Sequence, residues 1–154
     1  MTNASDSDRP QPWQLAPECA NEWACVTTAH HNVLLEGPPH ATQVAIGLMQ
    51  PHLKEPIVRR RPGETLELGP DRRGTLIVED VTALSADEQM TLRGWLCEAR
   101  PGVQIVSTTS ISLYSLVERG LFDAPLYYRL NVMLLRVNPS RTIPHQLNMA
   151  DPER

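Results

Sequence analysis

Short apolar runs set between helix-periodic stretches constrain this chain more than anything else in it. Val33-Leu34-Leu35, Leu76-Ile77-Val78, Val103 to Val106 and Val132 to Val137 are each short and apolar. Several are closed by turn residues such as Gly37-Pro38-Pro39, so they read as buried strands. Between them lie segments with helical spacing. Ser85-Ala86-Asp87-Glu88 has the capping-box pattern, in which hydroxyl and carboxylate each bond the other residue's amide. Leu92, Trp95, Leu96 and Ala99 then share one face, and Pro101-Gly102 stops that helix at about Arg100. Strands alternating with helices call for right-handed crossovers and a mainly parallel sheet covered on both faces.

The remaining segments fit this frame. The stretch from Trp13 to about His30 forms a short helix after Pro17, with Trp23 and Val26 inward. Thr42 to Leu53 carries Val44, Ala45, Leu48 and Met49 at helical spacing and ends near Pro51 or Pro56. Residues 56 to 73 are broken by proline and glycine. They suit a strand near Ile57-Val58, a turn at Pro62-Gly63 and a second strand near Thr65-Leu66. Ser112 to Glu118 is helical and Gly120 ends it.

A chain of 154 residues is long enough for one domain with a sizeable core. Residues 1 to 12 are polar and proline-bearing and are expected to be disordered. They precede a core over 13–138 and a proline-broken tail over 139–154. A net charge of −4 argues against general affinity for nucleic acid. No apolar run has membrane-spanning length, and the first residues lack the apolar centre of a signal peptide. Cys19, Cys25 and Cys97 fit neither a disulfide scaffold nor a paired metal motif. They read as reduced, buried, apolar residues of a cytoplasmic protein. The five histidines show no metal-ligand grouping beyond the adjacent His30 and His31, so no metal site is expected.

Leu126-Tyr127-Tyr128-Arg129-Leu130-Asn131-Val132 resembles a signature of the AAA+ domain of bacterial sigma-54 transcription activators, where it leads into the last strand of the nucleotide-binding core. Leu116-Val117-Glu118-Arg119-Gly120-Leu121-Phe122 is similar to the approach to that signature. Arg73 to Val81 resembles the family's Walker B strand, and the likeness spans roughly residues 32 to 138. It implies a three-layer P-loop NTPase core, AAA+-like, with a mainly parallel five-stranded sheet.

The same resemblance marks the residues that would handle ATP, and most have changed. A working P-loop wraps phosphate with glycine amides, and a lysine and a hydroxyl follow. Here the matching positions are Gly37, Pro38, Pro39, His40, Ala41, Thr42, Gln43 and Val44. Only the first glycine remains, and Gln43 stands where the lysine belongs. The alternative reading is a strand-to-helix turn with no ligand. Walker B ends Asp-Glu in the family but Glu79-Asp80 here, and adjacent strand residues face opposite ways. Swapping the two carboxylates shifts both by about an ångström, enough to spoil an in-line attack. The alternative role for both is simple strand capping.

A serine, Ser110, takes the place of the sensor asparagine, and Asp123 that of the first trans-acting arginine. Arg129 matches the second arginine and is the candidate finger, with an interface or internal salt bridge as its alternative. The stretch from Val44 to Arg73 has no G-A-F-T-G-A loop. Its basic clusters Arg59-Arg60-Arg61 and Arg72-Arg73 read as a solvated hairpin, or as a contact for an acidic partner or nucleic acid. Residues 139–154 are short and proline-broken, so they are expected to form neither the family's lid nor its DNA-binding helix-turn-helix.

The resemblance therefore implies a catalytically degenerate domain with no cofactor or only weak ATP or ADP with Mg. It would act by protein contact, on itself or on a true sigma-54 activator, without direct DNA binding, as a monomer or dimer rather than a hexamer. The alternative is a weak nucleotide-binding or ATPase module that regulates sigma-54-dependent transcription.

Overall fold

The computed structural model describes residues 20–69, 73–98 and 102–137. Five strands form one sheet in the order β2-β3-β4-β1-β5, with every pairing parallel. They are β1 (Val33–Glu36), β2 (Ile57–Arg60), β3 (Gly74–Val78), β4 (Val103–Thr109) and β5 (Met133–Arg136). The helices are α1 (Ala20–Thr27), α2 (Pro39–Met49), α3 (Ala86–Glu98), α4 (Leu113–Glu118) and α5 (Ala124–Leu130).

Period-two alternation divides the core between two faces. Leu34, Leu76, Val78 and Ile105 point to one side, where Leu92 and Leu96 of α3, Leu113 of α4 and Leu126 and Leu130 of α5 cover them. Val33, Leu35, Ile77 and Val106 point to the other, against Trp23 and Val26 of α1 and Ile46 and Met49 of α2. Three layers result, with β4 at the centre of the sheet between β3 and β1. The expected α/β class and five-stranded parallel sheet are present.

Local signals hold at several points. The Ser85 hydroxyl accepts from the Glu88 amide and the Glu88 carboxylate accepts from the Ser85 amide, both at 3.1 Å. Gly120 sits at φ 71° beyond α4, where an L side chain would be strained. Trp23 and Val26 are buried, as the inward face of α1 requires.

Other expectations need correction. α2 begins at Pro39, three residues before Thr42, because a proline at the first helical turn has its φ preset and loses no intrahelical bond. Its buried face is Ala41, Thr42, Ala45, Ile46 and Met49, while Val44 is exposed. A 3₁₀ turn, Gln50–His52, ends it. No strand forms near Thr65-Leu66; Leu66 packs from an irregular segment instead. Leu126 to Leu130 of the family-like string are helical and make up most of α5. Cys97 is exposed and Cys25 half-buried, so neither is the fully buried residue expected. Cys19, Ala99, Arg72, residues 1–12 and residues 139–154 lie outside the described residues.

Candidate functional site

At the carboxyl ends of the strands, the turn from β1 to α2 consists of Gly37 and Pro38 alone. It is tight because β5 returns beside it. The Val137 amide donates to the Glu36 carbonyl at 2.8 Å, and a Cβ on Gly37 would run into the Val137 carbonyl oxygen. The Gly37 amide donates to the Thr109 carbonyl at 2.9 Å, so it is turned into the sheet. Pro38 and Pro39 have no N–H to offer. His40 is exposed at the first turn of α2. Thr42 is 2% exposed, and its hydroxyl donates to the Pro39 carbonyl at 3.1 Å.

Gln43 and Glu79 meet. Glu79 has the same parity on its strand as Ile77, so it faces α2, and the Gln43 side-chain amide donates to its Oε1. Arg59 of β2 completes the group. Its Nε donates to Glu79 Oε2 at 2.8 Å and its Nη2 to Glu79 Oε1 at 3.0 Å, a bidentate clamp. The same Nη2 also donates to Gln43 Oε1. Arg61 adds a more distant ion pair at 3.8 Å. The Arg59 hydrogen bond, working against burial and helped by Gln43, holds the Glu79 carboxyl below the usual carboxylate range. Arg59 is correspondingly raised by Glu79.

Arg59, expected in a solvated hairpin, is instead a residue of the site. In β2 the register sets Arg59 beside Ile77 and Arg60 beside Val78, at the end of β3 where the acids begin. The available signal was Glu79 itself, since a buried carboxylate needs a cationic partner. Arg60 is no surface cation either. It is 4% exposed, donates to the Glu64 and Glu79 carbonyls at 3.1 and 3.5 Å, and lies 3.9 Å from Glu88.

Asp80 adopts a left-handed conformation, φ 52°, with its amide donating to the Thr108 hydroxyl at 2.8 Å. Its carboxylate accepts from the Thr82 hydroxyl. Glu79 and Asp80 therefore diverge, one toward Gln43 and Arg59, the other into the following turn. Ser110 is exposed at the end of β4. Asp123 caps α5 by accepting from the Leu126 amide at 3.0 Å and pairs with Arg93 at 3.0 Å. It is built into the fold. Arg129 is exposed in the last turn of α5, with Tyr128 (64% exposed) and Val132 (51%) close by in sequence. Its backbone carbonyl accepts from the Asn32 side chain at 2.9 Å.

The group these positions imply is a nucleoside triphosphate with Mg, and the residues do not fit it. The Gly37 amide is bonded to Thr109, Pro38 and Pro39 offer no N–H, Thr42 is turned back on its own helix, and Gln43 is bonded to Glu79. The cavity bounded by Gly37, Thr42, Gln43, Glu79, Asp80 and Thr109 holds only about 120 Å³, whereas small-molecule sites run from about 300 Å³ upward. Among the described residues no group of three or more His, Cys, Asp or Glu stands ready for a metal ion. None of their helices is long and apolar enough to cross a membrane.

The family model described as the sigma-54 interaction domain matches residues 26–139. The Nif-specific regulatory protein of Azotobacter vinelandii is 38% identical over 79 residues, covering 44% of this chain and 15% of that protein. The HTH-type transcriptional regulatory protein TyrR of Salmonella typhimurium is 40% identical over 50 residues, covering 32% of this chain and 10% of that protein. The chain thus corresponds to a small part of these relatives. Among solved structures, NtrX from Brucella abortus in complex with ADP superposes with a TM-score of 0.67 at 15% identity, over 88% of this chain and 39% of that one. The P-loop NTPase domain of a sigma-54 transport activator from E. coli gives 0.57 at 18% identity, over 82% of this chain and 96% of that one. At such identities these two likenesses carry the fold alone.

Proposed function

The chain belongs to the sigma-54 interaction domain family, and on that premise we propose that it is a catalytically degenerate member acting by protein contact in transcription control. The observation that carries this reading is the Arg59–Glu79–Gln43 group. A hydrolytic site needs its carboxylates directed at metal and water, and its cation directed at phosphate. Here the acid and the lysine-position residue are spent on each other, and the cation comes from β2.

A titration with labelled ATP and ADP, with and without Mg²⁺, tests the proposal. Binding no tighter than roughly millimolar, about −4 kcal/mol, is expected. Low-micromolar, Mg²⁺-dependent binding would overturn it in favour of a weak nucleotide-binding regulator using Gly37, His40, Thr42 and Gln43. Gln43→Lys alone should restore no turnover, because Glu79 and Asp80 still diverge and Ser110 and Asp123 remain. Measurable hydrolysis by that single variant counts against the reading.

The partner surface we assign is the exposed end of α5. Arginine and tyrosine are among the residue types that most often anchor interfaces, and Tyr128, Arg129 and Val132 are exposed close together in sequence there. Sigma-54, or a true activator bound to it, is the proposed partner in the cytoplasm, with DNA contacted only through that partner. Without a nucleotide bridging subunits, a monomer or dimer is expected. Arg129→Ala should weaken the partner complex in a pull-down against the activator while leaving the melting temperature within about 2 °C. Unfolding of the domain by that substitution would make Arg129 a structural residue.

A further inference from the structure

The sheet has two outer edges, and they are built differently. β2 carries Arg59 and Arg60, has Pro56 before it, and is followed by Arg61 and Pro62. Charge and proline at an edge keep other strands from pairing with it. β5 ends the sheet on the other side, and no strand lies beyond it among the described residues. Val132 to Val137 holds no proline, and Arg136 is its one charge.

The ladder fixes what that edge presents. The Met133 amide donates to the Asn32 carbonyl at 3.0 Å and the Val137 amide to the Glu36 carbonyl at 2.8 Å, with Leu135 between them in register with Leu35. Alternate residues of a parallel strand turn to alternate sides, so 133, 135 and 137 face β1. Leu134 and Arg136 therefore aim both N–H and C=O away from the sheet. Beside them lies a groove of about 260 Å³, bounded by Leu134 and by Tyr114 and Tyr127, whose ring centroids are 5.9 Å apart. Glu36 is the one carboxylate lining it among the described residues. Its own Arg136 meets it only at 3.7 Å, with 79% of that arginine side chain exposed. Tyrosine rings beside a carboxylate suit a guanidinium.

We propose that β5 pairs antiparallel with β5 of a second copy across a two-fold axis at Leu135, joining the two sheets into one. Leu134 of each copy then exchanges N–H and C=O bonds with Arg136 of the other. On the α1–α2 side, half-buried Met133 of each copy meets half-buried Val137 of the other, apolar against apolar. On the groove side, the stem of Arg136 from the second copy lies over Leu134, and its guanidinium enters the groove that holds Glu36. Moving the axis to Arg136 would oppose like charges. A second copy fits because the edge asks for an apolar face and one cation at this spacing, and β5 itself has both. The same patch then serves both subunits, as a two-fold contact requires. This pairing stands apart from the partner surface assigned to the end of α5.

Amide hydrogen exchange on the whole chain, followed from about 10 μM to about 1 mM beside sedimentation equilibrium, tests the pairing. So short a strand pair should associate with a dissociation constant on the order of 100 μM. Met133, Leu135 and Val137 should be protected at every concentration. Leu134 and Arg136 should exchange about fourfold more slowly at the top of the range, in step with the dimer fraction. Arg136→Pro deletes one outward N–H, a change that edge strands tolerate, and should weaken the dimer at least about tenfold. Arg136→Ala, which loses the guanidinium and keeps the N–H, should fall between that variant and the parent. The exchange measurement is made on the parent chain, so it decides the matter even where the proline variant melts early. A monomer throughout the range overturns the proposal. So does a dimer in which Leu134 and Arg136 keep their monomer rates, which would put the contact elsewhere. Protection of both at every concentration, the result expected where a segment of the same chain covers the edge, overturns it too, as does a dimer unchanged in Arg136→Pro.

Discussion

Ile105→Ala is expected to lower the unfolding free energy by about 2–5 kcal/mol in urea denaturation. Ile105 is fully buried, pairs with Leu76 across β3 and β4, and faces the side covered by α3, α4 and α5. The cost combines the lost transfer energy of the side chain with a cavity that a parallel strand cannot close, because its backbone is fixed by neighbours on both sides. Val58→Ala is the matched control. Val58 lies on the edge strand β2 and is 50% exposed, so its truncation should stay within about 0.5 kcal/mol. A loss below about 1 kcal/mol at Ile105 would contradict its place at the sheet centre.

Arg59→Met should produce the second large effect, about 1–3 kcal/mol at neutral pH, by leaving a buried carboxylate without its bidentate partner. The estimate stays below that for a fully buried pair because the Arg59 side chain is 28% exposed and Arg61 and Gln43 remain. The pH dependence carries the sign. Glu79 is held below the ordinary carboxylate range in the folded state, so its contribution is fully present above the unfolded value, about 4.3. It is lost as pH falls through the lower folded value. The stability difference between the parent chain and Arg59→Met should therefore be constant near neutrality and shrink below about pH 4. A difference that stayed flat into acid would show that Arg59 acts by packing rather than by pairing with Glu79.

The sheet was legible in the residues because its signal is local and repeated. Each buried strand is a short β-branched or leucine run, and the Ser85–Glu88 box and Gly120 announce helix ends within four residues. The start of α2 was not legible, since a double proline reads equally as a loop or as a helix N-terminus. Only the tight return of β5 onto Glu36 and Gly37 decides between them. The irregular path of Thr65-Leu66 was hidden for the opposite reason: the residues allow a strand beside the open edge of β2, but Leu66 packs against the α3-side core instead. At the candidate site, the residue types of Gln43 and Val44 could be read directly. Arg59 could not, because the pairing that brings it to Glu79 is the register of β2 on β3.

The position of β1 has a consequence for how the molecule comes into being. Val33 pairs with Val106 on one side and Met133 on the other, so the second strand partner arrives only near the end of the described chain. On the ribosome, β1 is synthesised early and then waits with both hydrogen-bonding edges open until β4 and finally β5 emerge. Such non-local pairing slows folding and leaves sticky edges exposed in the interval. A nascent chain stalled before residue 133 would hold Leu34 and Leu35 on a strand open along one side, a ready template for another copy.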